Sequence, residues 1–361
     1  MTGSQFVTYP NPSIRFLTGL SFPADGLERA DFHVTGSHRR IPTDWQEIPF
    51  RLEYWDGQLA IEFVRPENFS YFRIEFVGHE GSLALATAHY LPSLSLEQAR
   101  GLAKTQSIAF LACARTCADQ LDASLQKLQS LGRLFRSSRI IVFENDSSDG
   151  TREKLRQWAD AGSLELITHD GLDQILPLRT QRLGYARNRL LEEIRTNAPD
   201  YFCVADLDGV LGESLTEESF LSNFQQRDCW DACFPVGRFF YYDLWALRHP
   251  ELCPFDYHRA MNQLSQAFTP EDSVALIVDP LQSFRFDRMQ GWLAVDSAFG
   301  GMGLYRTEAF SDCRYFGIKD GQETCEHVIF HHQARRDGAR LYINPGFVVD
   351  GLPPSFKFRR N

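Results

Sequence analysis

From residue 107 onward, short apolar segments alternate with stretches of helical periodicity, and this alternation constrains the fold more than any other feature of the sequence. The apolar segments cover residues 108–114, 139–143, 164–168 and 200–205, and apolar residues at helical spacing follow the first three of them. Strands that are buried on both faces have such continuous apolar runs, because helices cover their sheet on either side. The alternation therefore predicts an open, mostly parallel α/β sheet with right-handed crossovers and flanking helices.

Residues 1–95 have a different pattern. Segments 50–54, 59–64 and 71–77 alternate apolar with polar residues or are rich in β-branched and aromatic ones, and turn-forming residues separate them. This pattern is typical of short antiparallel strands joined by turns. We therefore expect a small β-rich accessory module at 1–95, followed by an α/β domain at 107–361.

Composition excludes several classes of protein. The chain of 361 residues has 37 Lys and Arg against 47 Asp and Glu, a net charge of −10, which argues against nucleic-acid binding because that requires a basic face. We find no basic segment followed by an apolar core at the N-terminus, and no uninterrupted apolar run of membrane-spanning length. None of the eight cysteines forms a C-x-x-C pair, so we expect buried thiols in a reduced, cytoplasmic setting.

Polar residues follow the second apolar segment, at 144–151. Ligands of open α/β sheets bind beyond the carboxyl ends of the strands, so Glu144 and Asn145 are placed to hydrogen-bond a base or a ribose hydroxyl. Asp149 comes shortly after them, and its side chain also suits a helix N-cap, which is the alternative interpretation.

Two aspartates follow the fourth apolar segment, in the triplet Asp206-Leu207-Asp208. In an extended segment the i,i+2 spacing places both carboxylates on one side. Two hard oxygen ligands there can hold Mg²⁺ or Mn²⁺, which in turn bridges phosphate oxygens. The triplet is the only D-x-D in the sequence. Arg182 and Arg187, on the preceding helical stretch, could clamp a diphosphate, although a solvated basic face is the alternative.

Taken in order, these motifs resemble the nucleotide-sugar glycosyltransferases of the GT-A fold, over roughly residues 107–345. The order is an apolar strand, an S-x-D-G-T turn at 147–151, A-R-N at 186–188, D-x-D at 206–208, a glycine-rich segment at 299–305 and an acidic motif at 323–332. The similarity is greatest to family 2-like enzymes and to the fungal capsule-associated mannosyltransferases. It implies a hexosyl- or pentosyltransferase of polysaccharide biosynthesis, with a UDP- or GDP-sugar donor and a saccharide or lipid-linked saccharide acceptor.

The resemblance also assigns roles to residues. It implies that Mn²⁺ or Mg²⁺ binds Asp206 and Asp208, with His331, among neighbouring histidines, as a candidate third ligand. Inverting members keep a carboxylate near the late motif as the base for the acceptor hydroxyl, which predicts Glu326, with Glu323 in reserve. The nucleotide and donor sugar are expected to contact Ala114, Arg115, Glu144, Asn145, Asp149, Arg187, Asn188, Asp206, Leu207, Gly300 and Gly301.

Two other functions stay open from the sequence. One is a nucleotidyltransferase of similar fold, although the segment after the first apolar run lacks the glycine-rich loop that such enzymes usually carry. The other is a carbohydrate-binding protein without activity. The aromatic-rich region 238–295 is expected on the acceptor side, with core packing as the alternative. The basic C-terminal tail, which ends in FKFRRN, predicts at most a peripheral contact with the inner face of a membrane.

Overall fold

The chain folds into two compact units, which we describe from a computed structural model. The first consists of Met1–Ser93 with Asp287–Ala294, and the second of Leu94–Phe286 with Val295–Asn361. The structure describes residues 5–12, 14–23, 27, 30–38, 45–55, 57–77, 86–226, 228–283 and 291–351. Nothing in the sequence pattern indicated that Asp287–Ala294 joins the first unit. The FKFRRN tail lies outside the described residues, so its membrane contact stays a prediction.

The first unit contains two antiparallel sheets of four strands, ordered β1-β7-β3-β4 and β5-β6-β2-β8. Their bounds are β1 Gln5–Pro10, β2 Leu17–Pro23, β3 Asp31–Ser37, β4 Gln46–Glu47, β5 Phe50–Trp55, β6 Gln58–Glu67, β7 Tyr71–Val77 and β8 Thr87–Tyr90. Alternate residues of β7, namely Phe72, Ile74 and Phe76, are buried in a core that both sheets share. Phe63 of β6 stacks on Phe72 with ring centroids 5.4 Å apart. The predicted β-rich N-terminal architecture is confirmed.

The second unit is built on an open α/β sheet. Its first half contains α1 Leu96–Ala103, β9 Ser107–Ala114, α2 Ala118–Gly132, β10 Ser137–Asn145, α3 Thr151–Asp160, β11 Glu165–His169, α4 Leu172–Ile175, α5 Arg179–Arg195 and β12 Tyr201–Asp206. Its second half contains α6 Glu217–Leu221, β13 Ala232–Gly237, α7 Tyr257–Leu264, α8 Pro270–Ser283, β15 Met302–Arg306, β16 Ile318–Lys319, β17 Gln322–Glu323, α9 Glu326–Arg336 and β18 Leu341–Val349. The short strand β14, Leu293–Ala294, belongs to the first unit.

The strands of the second unit run in the order β11-β10-β9-β12-β15-β13-β18. Strands β11, β10, β9 and β12 are mutually parallel, β13 is parallel to β18, and β15 is antiparallel to both of its neighbours. The predicted fold class, a mostly parallel sheet with helices packed against it, is thus confirmed. After β9 the chain first builds outward through β10 and β11 and then returns to place β12 on the other side of β9. Ligands of doubly wound sheets bind at such a reversal of strand order.

Two further features concern the cysteines and the helices. All eight cysteines are free thiols, and all except the half-buried Cys113 are buried, as expected of core residues. Among the described residues, no helix combines the length and the apolar character needed to cross a membrane.

Candidate active site

A cavity of about 230 Å³ opens at the reversal of strand order. The register pairs Asp206 with Cys113 and Ala114 with Glu144, so the carboxyl ends of β12, β9 and β10 meet at one edge. Residues of the first half of α5 also line it. The residues that line the cavity are Cys113, Ala114, Arg115, Cys117, Asn145, Arg179, Arg182, Leu183, Ala186, Asp206, Leu207 and Asp208.

The two aspartates of the D-x-D triplet both line this cavity. About a third of the Asp206 side chain is accessible, and Asp208 is exposed. Desolvation by the surrounding protein, followed by the nearby Asp208 charge, raises the pKa of Asp206 to about 7. Desolvation also raises the pKa of Asp208. Two carboxylates held this closely repel each other, and a cation between them would remove that repulsion.

Two arginines at the start of α5, Arg179 and Arg182, line the same cavity as the aspartates, and the Arg179 charge acts on both of them. Arg182 is anchored, because its Nη1 donates to the backbone oxygens of Leu176 and Pro177, each at 2.8 Å. Arg179 is exposed to the cavity, and we find no ion-pair partner for it in the described part of the chain. An unpaired guanidinium in the same cavity as two carboxylates can bind an anion that a cation links to the acids.

A buried ion pair lies behind Asp206. Arg187 of α5 and Glu326 of α9 are each about 4% exposed, and Arg187 Nη1 donates to Glu326 Oε1. Arg187 Nη2 also lies 3.5 Å from Asp206 Oδ1, and the guanidinium lies over the rings of Phe299 and Tyr315. Arg187 is therefore shared between Glu326 and the first aspartate of the triplet. The predicted base Glu326 is buried and paired with Arg187. This arrangement is typical of a residue that positions the Arg187 guanidinium.

The glycine-rich segment brings a distant loop to the aspartates. Gly300 and Gly301 have φ angles of +69° and +83°. A Cβ on Gly301 would lie 2.4 Å from the Tyr242 hydroxyl, so only glycine allows this approach. The Gly301 carbonyl accepts from the Asp206 N–H at 2.9 Å, and the Gly300 N–H donates to Asp243 Oδ2 at 3.1 Å. Asp243 is thereby a further carboxylate near the acid pair, and burial raises its pKa.

The turn after β9 is held in an unusual conformation at the mouth of the cavity. Thr116, next to Arg115, has a φ of +53°, which costs a β-branched residue of order 1–3 kcal/mol. The Thr116 N–H donates to Ser147 Oγ at 3.1 Å, and the Cys117 N–H donates to Thr151 Oγ1 at 2.9 Å. The S-x-D-G-T turn therefore shapes the cavity by holding the neighbouring strand end.

Other predicted nucleotide contacts have structural roles in this turn. Glu144 is fully buried, accepts from the Ser147 N–H and pairs with Arg152. Asp149 accepts from the N–H groups of Ala118 and Thr151, at 3.0 and 3.1 Å, and so binds the starts of both α2 and α3. The N-cap residue of α3 is Gly150, so Asp149 precedes the cap, but its side chain accepts a first-turn N–H as the capping alternative expected. Hydrogen bonding, chiefly from the Thr151 hydroxyl, lowers the pKa of Asp149.

Asn188 of the A-R-N motif also serves the fold. Its Nδ2 donates to the Tyr315 carbonyl and its Oδ1 accepts from the Tyr315 N–H, both at 2.8 Å. These bonds attach α5 to the segment before β16. Asn188 thereby holds Tyr315 against the neighbouring Arg187 guanidinium.

His331, the candidate third ligand, is a core residue. It is fully buried, its Nδ1 lies 2.8 Å from Ser297 Oγ, and its Nε2 lies 3.0 Å from the Tyr305 hydroxyl. Both ring nitrogens therefore already have hydrogen-bond partners, and His331 is not among the residues that line the cavity with Asp206 and Asp208. These contacts do not favour His331 as a metal ligand, and that role stays a prediction.

His327 lies one turn earlier on α9 and is also buried. Its ring stacks on Phe299 with centroids 3.8 Å apart, and neither ring nitrogen has a hydrogen-bond partner in the described part of the chain. Burial, and then the positive charge of Arg187, hold the pKa of His327 well below its usual value. Burial does the same for the pKa of His331.

We predict that replacing His327 with leucine makes the protein less sensitive to acid. A histidine that is neutral when folded and titrates near pH 6.5 when unfolded stabilises the fold above that pH, and this stability is lost as the pH falls. Well below that pH each such histidine costs about 1.4 kcal/mol per pH unit, but at pH 6.5 only half of the unfolded chains carry the proton, so the cost between pH 6.5 and 5.5 is about 1 kcal/mol. The His327→Leu variant should therefore lose about 1 kcal/mol less unfolding free energy than the parent between pH 6.5 and 5.5, measured by urea unfolding with circular dichroism.

The matched control is His33→Asn, at an exposed histidine of β3. This variant should keep the parental dependence of unfolding free energy on pH. At pH 7.5 His327→Leu should remain within about 1 kcal/mol of the parent, because an unpartnered polar ring is replaced by an apolar group of similar size. A His327→Leu variant with the same loss below pH 6.5 as the parent would show that this ring is not held neutral.

The acid pair fits a hard divalent cation that is shared with a ligand. In the part of the chain that the structure describes, no group of three or more His, Cys, Asp or Glu side chains could hold a metal ion by itself. Mg²⁺ commonly uses one or two carboxylates and takes its other ligands from phosphates and water, and carboxylates also suit Mn²⁺. Asp206 and Asp208 supply such a partial set, next to the unpaired Arg179.

Sequence reasoning missed Arg179, Tyr242 and Asp243. Arg179 and Arg182 are three residues apart in the first turn of α5, so their helical spacing was a usable signal that both face one side. Tyr242 and Asp243 follow the end of β13 and meet Asp206 only through the Gly300–Gly301 backbone. No local pattern marks a contact over so long a separation.

Comparison with known proteins gave structural matches only. No protein-family profile and no curated protein sequence matches the chain. One similar structure is a mannosyltransferase from Pyrobaculum calidifontis in complex with GDP-Man and Mn²⁺, with a TM-score of 0.42 and 13% identity over 69% of this chain and 58% of that one. Another is glucosyl-3-phosphoglycerate synthase from Mycobacterium tuberculosis in complex with Mn²⁺, UDP and phosphoglyceric acid, with a TM-score of 0.40 and 11% identity over 73% of this chain and 77% of that one. The matched region thus spans under two thirds of the mannosyltransferase. At these sequence identities and TM-scores the matches carry no argument about function, so function is inferred from the residues of this chain's own cavity.

Proposed function

We propose that this protein is a metal-dependent glycosyltransferase that transfers a sugar from a nucleoside diphosphate sugar to a hydroxyl group. One observation carries the proposal. Asp206, Asp208, Arg179 and Arg182 line one cavity at the carboxyl edge of a parallel sheet. Acids and guanidinium groups in one cavity match a diphosphate that would be bound both through a divalent cation on the acids and through the guanidinium groups.

The chain's own residues divide the work as follows. A bound Mn²⁺ or Mg²⁺ would supply Lewis-acid neutralisation of the charge that develops on the leaving diphosphate. Asp206 and Asp208 hold that cation, and Arg179 and Arg182 orient the diphosphate oxygens. Asn145, at the end of β10, lines the cavity and would hydrogen-bond the base or the ribose. Desolvation, and then the Asp208 charge, raise the pKa of Asp206, and a cation held by both carboxylates would lower it.

The base for the acceptor hydroxyl has three candidates with different surroundings. Glu326 is enclosed and paired with Arg187, whereas Glu323 is exposed and accepts from Thr180 Oγ1 at 2.8 Å. Asp243 is half-buried beside the acid pair and accepts from the Gly300 N–H. A base must reach the proton that it removes, so accessibility favours Asp243 and Glu323 over Glu326.

The test is a titration of the whole protein with UDP-glucose and GDP-mannose, with and without Mn²⁺. One of the two should raise the melting temperature only when Mn²⁺ is present, because a ligand at 100 times its Kd stabilises the fold by about 2.7 kcal/mol. The same compound should slowly release its nucleoside diphosphate. Stabilisation by nucleoside triphosphates with release of pyrophosphate would instead indicate a nucleotidyltransferase, and binding of oligosaccharides alone would indicate a carbohydrate-binding protein.

A further inference from the structure

A second, larger cavity of about 780 Å³ lies between α7 and the β16–β17 hairpin, and we refer to it as the α7 groove. The hairpin turns at Asp320 and Gly321, whose φ angles of +53° and +75° are those of a tight two-residue turn. The volume lies in the upper part of the range of about 300–1,000 Å³ that small-molecule sites occupy. The groove therefore has room for a ligand of more than one ring.

The hairpin that forms one wall is attached to the helix of the candidate active site. Thr180, next to Arg179, donates to Glu323 Oε1 at 2.8 Å and to the Gly317 carbonyl at 3.1 Å. A Cβ on Gly317 would lie 2.4 Å from the backbone nitrogen of Gln181, so the base of the hairpin packs directly on the start of α5. One wall of the α7 groove is thus continuous with the wall that carries Arg179.

The other end of the groove holds an indole ring in a fixed position. Trp245 lies two residues after Asp243, and its Nε1 donates to Asp256 Oδ2 at 3.2 Å. Asp256 is held in turn by Arg248 Nη2 at 2.6 Å. The ring of His258 lies 4.3 Å from the indole. A rigid aromatic ring with its polar atom satisfied offers its apolar face to a sugar ring at a small entropic cost.

The walls of the groove carry side-chain amides without internal partners. Asn262 and Gln263 lie on α7, Gln266 follows the end of that helix, and Gln322 lies on the hairpin. These amides make no hydrogen bond within the described part of the chain. Each amide offers donors and an acceptor, which matches hydroxyl groups that also do both. The amides therefore favour a ligand rich in hydroxyls.

The charges on the groove argue against an anionic ligand. Arg259 and Lys319 are accompanied by Asp320 and Glu323, so both signs occur along the walls. A site for a phosphorylated acceptor would concentrate cations, because arginine and lysine supply the charge-assisted bonds that phosphate requires.

From these observations we infer that the α7 groove binds a neutral oligosaccharide, which is the acceptor of the transfer. The role of the oligosaccharide as acceptor rests on the proposed function, whereas its binding is inferred from the groove alone. Trp245 stacks on one sugar ring, and the amides of α7 and the hairpin bind the hydroxyls of the chain. The acceptor then enters beside Asp243 and the wall that carries Arg179.

The test uses the full chain and a panel of neutral probes: mannohexaose, maltohexaose, cellohexaose and xylohexaose. At least one should bind, as measured by calorimetry, and Trp245→Ala should weaken that binding about tenfold through loss of stacking. Gln263→Ala combined with Gln322→Ala is a second variant at exposed positions, and it should weaken binding by a similar factor. Trp158→Ala is the matched control, because its indole is also half-buried and bonded to an aspartate, Asp122, away from the groove.

The outcomes separate this inference from the proposed function. Mn²⁺-dependent binding of a nucleotide sugar should be unchanged in both groove variants. If the nucleotide sugar binds but no hexasaccharide does, or if glucose 6-phosphate binds more tightly than all of them, the inference is overturned and the proposed function stands. If a hexasaccharide binds through Trp245 while no nucleotide sugar binds, the groove is supported and the transferase is not.

Discussion

Replacing Asp208 with asparagine is expected to lower the release of nucleoside diphosphate from the cognate donor by roughly 10²–10³-fold. The asparagine keeps the size and shape of the side chain but removes one of the two negative charges that hold the cation. Asp208 is exposed to the cavity, so the loss of its charge should leave the unfolding free energy within about 0.5 kcal/mol of the parent. The effect should therefore appear in turnover and in the Mn²⁺ concentration needed for donor binding, while the melting temperature of the ligand-free protein stays constant.

The matched control is Asp160→Asn, at the exposed last residue of α3. It also removes one negative charge but lies outside the cavity, so turnover and Mn²⁺ dependence should equal those of the parent. Asp206→Asn should resemble Asp208→Asn in turnover. Full activity of Asp208→Asn at parental Mn²⁺ concentrations would exclude a cation on this pair and, with it, the proposed mechanism.

The sequence predicted best which residues meet at the strand ends, and their roles there stay predictions. Asp206, Asp208, Asn145 and Arg115 reach one cavity because a parallel sheet aligns the carboxyl ends of its strands, and the apolar runs marked those strands clearly. Glu144 was expected in the same place. Successive side chains of a strand point to opposite faces, so Asn145 facing the cavity leaves Glu144 in the core. The alternation itself contained this information.

The site residues in the second half of the α/β domain were harder to predict from the sequence, because long-range contacts bring them together. Whether Glu326 faces solvent or an arginine on α5 depends on how α9 packs, and nothing near Glu326 in the chain specifies it. The same holds for Asp243, which reaches the acids only because Gly300 and Gly301 let its loop approach. The glycine motif indicated a close approach but could not name the partner.

Replacing Glu326 with glutamine is expected to destabilise the protein by about 3 kcal/mol, because it leaves the Arg187 guanidinium buried with only part of its compensation. A second effect follows from the geometry. Arg187 is shared between Glu326 and Asp206. Without the Glu326 carboxylate, the Arg187 guanidinium would interact mainly with Asp206 Oδ1, which lies 3.5 Å away. A more strongly paired Asp206 binds cations less well, so donor binding by Glu326→Gln should require roughly tenfold more Mn²⁺. Chemical unfolding and Mn²⁺ titrations of donor binding measure the two effects separately.

Comparison of Glu326→Gln with Glu323→Gln decides whether Glu326 is a positioning residue or the base. Glu323 lies three residues earlier on an exposed strand, so its change should leave stability and Mn²⁺ dependence at parental values. The double variant Arg187→Met with Glu326→Gln should recover part of the stability lost in Glu326→Gln, because it removes the uncompensated buried charge. A base behaves differently: its loss lowers the rate of transfer to the acceptor but leaves unfolding and the Mn²⁺ requirement unchanged. If Glu326→Gln shows that pattern, the ion pair with Arg187 opens during the reaction and Glu326 is the base that the sequence predicted.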